Sequence, residues 1–420
     1  MTTADLLIVN AAEVVTCAGF SQAPARGAEQ GVLRIIRDGA VAIAGDRILA
    51  VGASDRLRRE HHVSDDQILD AAGGIVLPGF IDCHTHLVFA GDRSAEWEQR
   101  MQGKPYLEIL KEGGGILSTV KKTRASAIGA LVTNGLRWAT ACMEHGTTTL
   151  EAKTGYCLDR EGELRLLEVA RAVAGELPLE IVSTFLGAHV VPPEFKQDRG
   201  GYLDLLDALM VEIRAGQLAE FVDVFCEQEA FTLAETERIL TRARELGFGL
   251  KLHAEQFTAS GAAALGARLG AVSVDHLEHL DEAAISALAG AAKPPVGVLL
   301  PGVPFHLAQT EYAPARKLIE AGIPLAIATD LNPGSSFTPS LPMCIALACR
   351  TLKMTASEAV VACTINAAHA LGRGAEIGSL EPGKRADVIV CDVPDHRWLG
   401  YAFGQNPVRA VVVGGERVFD

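Results

Sequence analysis

The stretch Gly79-Phe80-Ile81-Asp82-Cys83-His84-Thr85-His86, entered through the apolar run Ile75-Val76-Leu77-Pro78, decides how the rest of the chain is read. Successive side chains on a strand point to opposite faces. His84 and His86, one residue apart at the end of a short apolar run, therefore share a face and can reach a single metal ion. Two strand histidines satisfied by their neighbours would show the same spacing, so the reading turns on what the rest of the chain supplies.

Outward from this stretch, residues 78 to 373 alternate apolar runs with longer Ala/Leu/Glu/Arg segments. The runs at 146–150, 180–186, 221–225, 248–252, 271–275, 296–300 and 324–328 predict strands. The segments at 131–145, 160–174, 202–215, 233–246 and 357–370, the last with a start signal at Thr355, predict helices. With the strand before His84 this makes eight βα units. Repeated alternation implies a parallel sheet, and the fold class expected is α/β, a closed (β/α)8 TIM barrel. In such barrels the reactive groups stand at the C-terminal ends of the strands. His84, His86, Glu151, Lys153, His189, Glu227, His253, His276 and Asp330 all follow apolar runs, which predicts one rim.

The two ends of the chain have a different character. Residues 1 to 77 and 374 to 420 read as short strands broken by glycine turns, such as Gly39 to Gly52 and Ala386 to Asp392. A small β-sandwich-like domain built from both termini is expected, with the barrel of residues 78 to 373 inserted between them.

Composition narrows the partners. Of 420 residues, 52 are acidic and 38 basic, a formal charge of −14, and the basic clusters at Arg56 to Arg59 and Lys121 to Arg124 are short. No nucleic-acid surface is expected, and a small anionic substrate would need a local arginine. The nine cysteines show no CxxC spacing, no hydrophobic leader follows Met1, and no apolar run approaches the roughly 18 residues of a membrane span. A cytoplasmic protein with no membrane partner is the expectation.

The chemistry comes from the strand ends. His253 follows Leu250-Lys251-Leu252, and Asp330 follows Ala326-Ile327-Ala328-Thr329. Three neutral imidazoles and a carboxylate suit a divalent ion such as Zn²⁺ or Fe²⁺, with a water in the open position whose pKa falls from ~15.7 toward ~7. Asp330 is then placed to be both a weak ligand and a proton shuttle. His276, after Ser273-Val274-Asp275, would polarise a substrate carbonyl. His279 completes no HExxH order and is expected on an outer loop or helix start.

Pro78 to His86, His253, His276, Asp330, the segment Asn366 to Gly372 and the ending Gly383-Lys384-Arg385-Ala386-Asp387 together resemble the metal-dependent amidohydrolase superfamily. More narrowly, His86 to Arg93, Gly113 to Ile116, Glu151 to Tyr156 and Thr329 to Ser336 resemble its branch acting in histidine degradation. That resemblance implies hydrolysis of the cyclic amide of 4-imidazolone-5-propanoate to N-formimidoyl-L-glutamate. It implies a metal held by His84, His86, His253 and Asp330, and substrate contacts from Arg93, Tyr156, His189 and Gln256, with Asn332, Gly334 and Ser335 near the same pocket. It also suggests a homodimer.

The residues are consistent with a substrate carrying a carboxylate tail. Arg93 offers a planar donor fork suited to a carboxylate; its alternative is a surface ion pair with Asp92 or Glu96. Tyr156 offers a phenolic hydroxyl, or else a packed loop aromatic. Gly113 to Gly115 lack the context of a phosphate loop and read as a loop closing over substrate. Deaminases of the superfamily have His-x-x-Glu after the fifth strand, whereas this chain has His253-Ala254-Glu255-Gln256. Gln256 can hydrogen-bond a ring amide but cannot transfer a proton to it, which favours cyclic-amide hydrolysis. Deamination of an N-heterocycle is the alternative, with Glu255 as its candidate acid. Binuclear relatives carry a modified lysine at the fourth strand. The segment Thr184 to His189 has none, so one metal per subunit is expected.

Overall fold

The computed structural model describes residues 3–104, 108 and 113–419. Two eight-stranded sheets organise it. In the first, β1 (Leu6–Val15), β2 (Ile35–Ala44) and β3 (Arg47–Ala53) pair antiparallel in sequence order. Along its other side β1 pairs in parallel with β4 (Ile68–Asp70) and β5 (Ile75–Pro78).

The chain then enters the second sheet through β6 (Phe80–Asp82), β7 (Thr147–Lys153), β8 (Glu180–Ala188), β9 (Phe221–Cys226), β10 (Gly249–Ala254), β11 (Ser273–His276), β12 (Val296–Leu299) and β13 (Leu325–Ile327). These lie side by side in chain order, all parallel, with helices between most of them. This is the expected barrel, with one correction: Thr184 to His189 ends its third strand, β8, and the fourth is β9, whose residues Phe221–Cys226 carry no lysine either. The barrel's ends are joined beyond the regular ladders: Thr85 bridges Leu331, the Asp330 N–H donates to His84 O at 3.0 Å, and the His86 N–H donates to Leu331 O at 3.0 Å. The Thr329 N–H donates to Asp82 Oδ1 at 3.1 Å. The chain finally returns to the first sheet as β14 (Val388–Cys391), β15 (Val408–Val413) and β16 (Glu416–Phe419), with β14 antiparallel to β5.

Ile75–Pro78 is the strand of the terminal sheet against which β14 docks, with Pro78 opposite Val388. Gly79 makes the crossing to the barrel, where an added Cβ would lie 2.2 Å from Thr148 Oγ1. The expected helix 357–370 is two, Ala356–Ala362 and Ile365–Ala370, broken at Thr364, whose φ of −125° and ψ of −102° are not helical. Its start signal holds, since Thr355 and Glu358 form a reciprocal capping box.

The terminal sheet is buried on both faces where it meets the barrel. Val76, Val388, Val390 and Val412 turn into the sheet's own core with Ile8 and Val41, while their neighbours Ile75, Leu77, Ile389 and Val411 join a core that includes Phe80 and Met143. The sheet rests on the barrel at Gly146, just before β7. There φ is +90° and an added Cβ would lie 3.0 Å from Phe80 and 3.1 Å from both Ile389 and Val408. All nine cysteines are free thiols. Among the described residues no helix is long and apolar enough to cross a membrane.

Candidate metal centre and substrate pocket

Closing the barrel through His84, His86 and Asp330 brings the ends of β6 and β13 together over its mouth. Asp330 Oδ1 lies 3.5 Å from His84 Nε2 and 3.4 Å from His86 Nε2. The His253 ring, from β10, stands 4.5 Å from His84 and 5.6 Å from His86. His276, ending β11, stands 5.1 Å from His253. All five residues are buried, yet His84 Nε2, His253 Nε2 and Asp330 Oδ1 have no hydrogen-bond partner. Buried polar atoms are seldom left so. Four donors about 2.1 Å from a common centre in a tetrahedron stand about 3.4 Å apart, the spacing Asp330 keeps from its two histidines. Ligand atoms of His84, His86 and His253 lie within 4.8 Å of one another, as do those of His84, His276 and Asp330. The donor set suits a divalent ion.

Two carboxylates that sequence reasoning missed orient these rings. Asp275 Oδ2 lies 2.6 Å from His84 Nδ1, and Asp223 Oδ2 lies 3.0 Å from His253 Nδ1. Each leaves Nε2 as the atom facing the centre, the usual arrangement around a ligating imidazole. Burial first, and the charge of Lys153 next, hold His84 well below its ordinary range; burial holds His253 at about 4 although Asp223 pulls it up. Both rings are therefore neutral at physiological pH, as ligation requires.

Beneath them lies an ionic cluster with no exposed side chain. Lys153 Nζ contacts Asp223 Oδ2 at 2.6 Å, Glu151 Oε2 at 3.1 Å and Asp275 Oδ2 at 3.5 Å, and Lys251 Nζ contacts Glu151 Oε2 at 2.9 Å. Burial works against the Lys153 charge, but Asp223, Glu151 and Asp275 outweigh it and raise its pKa. Glu151 and Lys153 are thus inside the barrel and not on its rim, because their side chains point inward, pair with each other along β7 and meet Asp223, Asp275 and Lys251 on other strands. Glu227 follows β9 directly and has a structural task there: its carboxylate accepts from the N–H groups of Phe257 and Thr258 at 2.9 and 3.2 Å and fixes the loop after β10. The available signal was a charged residue within an apolar strand run, as at Asp223 and Lys251.

Of the expected substrate residues, His189 and Tyr156 lie beside His86, and Ser335 lies beside Asp330. The His189 ring stacks on His86 at 5.2 Å, and Tyr156 lies 5.6 Å from His86. His189 Nδ1 donates to Gly155 O at 3.1 Å, which leaves Nε2 as an acceptor. Arg93 makes the ion pair anticipated as its alternative, Nε to Glu96 Oε2 at 2.9 Å, while its Nη1 lies 2.1 Å from where a Cβ on Gly334 would stand. Asn332 spends its amide inside the turn, donating to Asp330 O and accepting from the N–H groups of Gly334 and Ser335. Ser335 Oγ then reaches Asp330 Oδ2 at 3.3 Å.

Gln256 is buried just beyond β10. Glu255 turns away from the centre: at φ +52° its carboxylate accepts from the Ala263 N–H, at the start of the helix Ala262–Leu269. Burial raises its pKa to about 7. His279 lies outside, paired with Glu311 at 3.1 Å.

Charge is divided between the two groups proposed for proton handling. Burial opposes ionisation of Asp330, but His86, His276 and His253 outweigh it and lower its pKa. Burial likewise opposes protonation of His276, but Glu278, with Asp330 and Asp275, outweighs it and raises that pKa. His276, Leu277 and Asp330 have φ of +82°, +72° and +51°, a conformation costing non-glycine residues about 1–2 kcal/mol each.

Comparison with known proteins places the chain. Residues 75–418 match the amidohydrolase family, and residues 39–62 match the imidazolonepropionase-like composite domain of bacteria. An imidazolonepropionase of Geobacillus thermodenitrificans is 45% identical over 98% of this chain and 97% of its own. One of Symbiobacterium thermophilum is 46% identical over 99% and 97%. Among solved structures, a zinc-bound adenosine deaminase of Xanthomonas campestris shares the fold, with a TM-score of 0.73 over 99% of this chain and 93% of that one at 22% identity.

Proposed function

Because the chain belongs to the amidohydrolase family, and within it to the imidazolonepropionases, we propose how its residues carry out that family's reaction. The reaction is hydrolysis, in histidine degradation, of the cyclic amide of 4-imidazolone-5-propanoate to N-formimidoyl-L-glutamate. His84, His86, His253 and Asp330 hold one divalent metal per subunit, Zn²⁺ or Fe²⁺. When bound, such an ion supplies Lewis acidity and lowers the pKa of a water toward neutrality.

The protein's own groups do the rest. Asp330, ionised, takes the proton from the attacking water and passes it to the ring nitrogen as the amide bond breaks. His276 donates an N–H to the carbonyl oxygen as negative charge gathers there. Arg93 receives the propionate tail, and Tyr156, His189 and Gln256 contact the ring and chain of the substrate. Gly334 leaves room for Arg93, Asn332 shapes the turn, and Ser335 steadies the Asp330 carboxylate. A cytoplasmic homodimer acting on this small molecule, with no nucleic-acid partner, completes the reading.

The observation that carries the choice of hydrolysis over deamination is the direction of Glu255. Its carboxylate is engaged at a helix N-terminus, and Gln256, the buried residue that follows it, has no proton to transfer. The test is to follow loss of imidazolonepropionate absorbance with purified enzyme, before and after chelation, and ammonia release across a panel of N-heterocycles. Chelator-sensitive ring opening without ammonia is expected; ammonia release in place of ring opening would overturn the reading. Sedimentation equilibrium checks the dimer, which a monomeric mass would rule out.

A further inference from the structure

Arg93 precedes the helix Ser94–Met101, and its guanidinium is held by its inner edge. A single oxygen, Glu96 Oε2, accepts from Arg93 Nε at 2.9 Å and from the Gly115 N–H at 2.9 Å. Gly115 is the residue ahead of the helix Ile116–Ala125. That same helix grips the Arg93 loop twice more: Lys122 Nζ donates to Asp92 O at 2.7 Å, and Thr123 Oγ1 accepts from the Ala90 N–H at 3.1 Å. On the far side Arg93 Nη1 is pressed against Gly334, one residue before the serine that touches Asp330.

We propose that Glu96 is a positioning residue for substrate selection: it holds Arg93 by Nε so that the fork of the two terminal nitrogens is presented to the substrate carboxylate, and it locks that presentation to the glycine loop through Gly115. This rests on the reading that Arg93 receives the tail. The chemistry follows from the guanidinium's shape. It meets a carboxylate with two parallel N–H donors only when its plane is fixed, and an arginine left free must lose rotamer freedom on binding. Glu96 removes that freedom beforehand. An ion pair that merely cancelled the Arg93 charge would weaken binding of an anion, and this opposite expectation makes the role testable.

The test compares wild-type enzyme with E96A, E96Q, E96D and R93A. Each is assayed for kcat and KM with 4-imidazolone-5-propanoate and for inhibition by imidazole-4-propanoate and by its uncharged propanamide. In E96A, KM and the inhibition constant of the carboxylate are expected to rise about tenfold, with kcat within about twofold and the amide's inhibition unchanged. E96Q keeps an acceptor for both N–H groups and is expected to restore KM to within about threefold of wild type. E96D, one methylene short of spanning both donors, should resemble E96A and serves if E96A does not fold. R93A should abolish the preference for the carboxylate over the amide. If R93A loses that preference while E96A and E96D keep wild-type KM, the role of Glu96 is overturned and that of Arg93 stands. An E96Q variant as impaired as E96A also overturns it. If R93A keeps the preference, the reading of the pocket itself fails.

Discussion

The two eight-stranded sheets of this chain fill their interiors on opposite principles. The terminal sheet encloses Ile8, Val41, Val76, Val390 and Val412, whereas the barrel, beneath its mouth, encloses Glu151, Lys153, Asp223, Lys251 and Asp275 in mutual contact. An apolar interior stabilises by area removed from water and tolerates small changes. A buried ionic interior stabilises little over a hydrophobic replacement, yet breaking one pair in it leaves an uncompensated charge. The difference teaches what each is for. In the barrel cluster two ammonium groups face three carboxylates, and Asp330 above adds a fourth.

That contrast can be broken or sharpened in order of effect. Replacing Asp330 by Asn keeps its shape but removes the proton acceptor, and turnover should fall by about 10³-fold or more with the far-UV spectrum unchanged. Turnover above a tenth of wild type would remove Asp330 from proton transfer. Lys153→Met strands the carboxylates of Asp223 and Asp275, and about 3–5 kcal/mol of stability should be lost on urea unfolding, together with bound metal measured by atomic absorption. Val390→Ala in the terminal sheet should cost only about 1–3 kcal/mol and leave kcat and metal content alone. Equal effects of these two substitutions on metal content would erase the distinction between the interiors. Arg93→Ala should raise KM about tenfold with a smaller effect on kcat, and an unchanged KM would place the tail elsewhere.

The smallest effect belongs to Asp387, a buried carboxylate just ahead of β14 in the terminal sheet. Burial raises its pKa to about 6, against the pull of Arg385 and the Gly414 N–H. Since the folded value exceeds the unfolded one of about 3.8, its favourable contribution is complete below about pH 3.8 and is lost as pH rises through 6. Asp387→Asn should therefore gain stability relative to wild type between pH 4 and 7, by about 1 kcal/mol. A difference in melting temperature that does not vary with pH would show that Asp387 does not titrate there.

What could be read from sequence follows the same division. Strand ends carrying His84, His86, His253 and Asp330 were legible because period-2 alternation and strand–helix alternation are local patterns. The partners Asp223 and Asp275 were not, because Lys153 meets them across 70 and 122 residues of chain and only the closed barrel joins them. The direction of Glu255 depended on one positive φ, which composition does not announce. Glu96, dismissed as a surface partner by pattern alone, acquires its second bond only where two distant loops meet.

The join between the first and last barrel strands has a consequence for how the protein is made. The hydrogen bonds from the Asp330 N–H to His84 O and from the His86 N–H to Leu331 O, with the bridge between Thr85 and Leu331, mean that three of the four proposed ligands stand in the seam that closes the barrel. A ribosome-bound chain stopped before residue 330 carries three of the proposed ligands and neither the fourth nor the closure. The reactive centre is assembled by the last strand to arrive, so an unfinished copy has no half-working site with which to attack the amides of the cell.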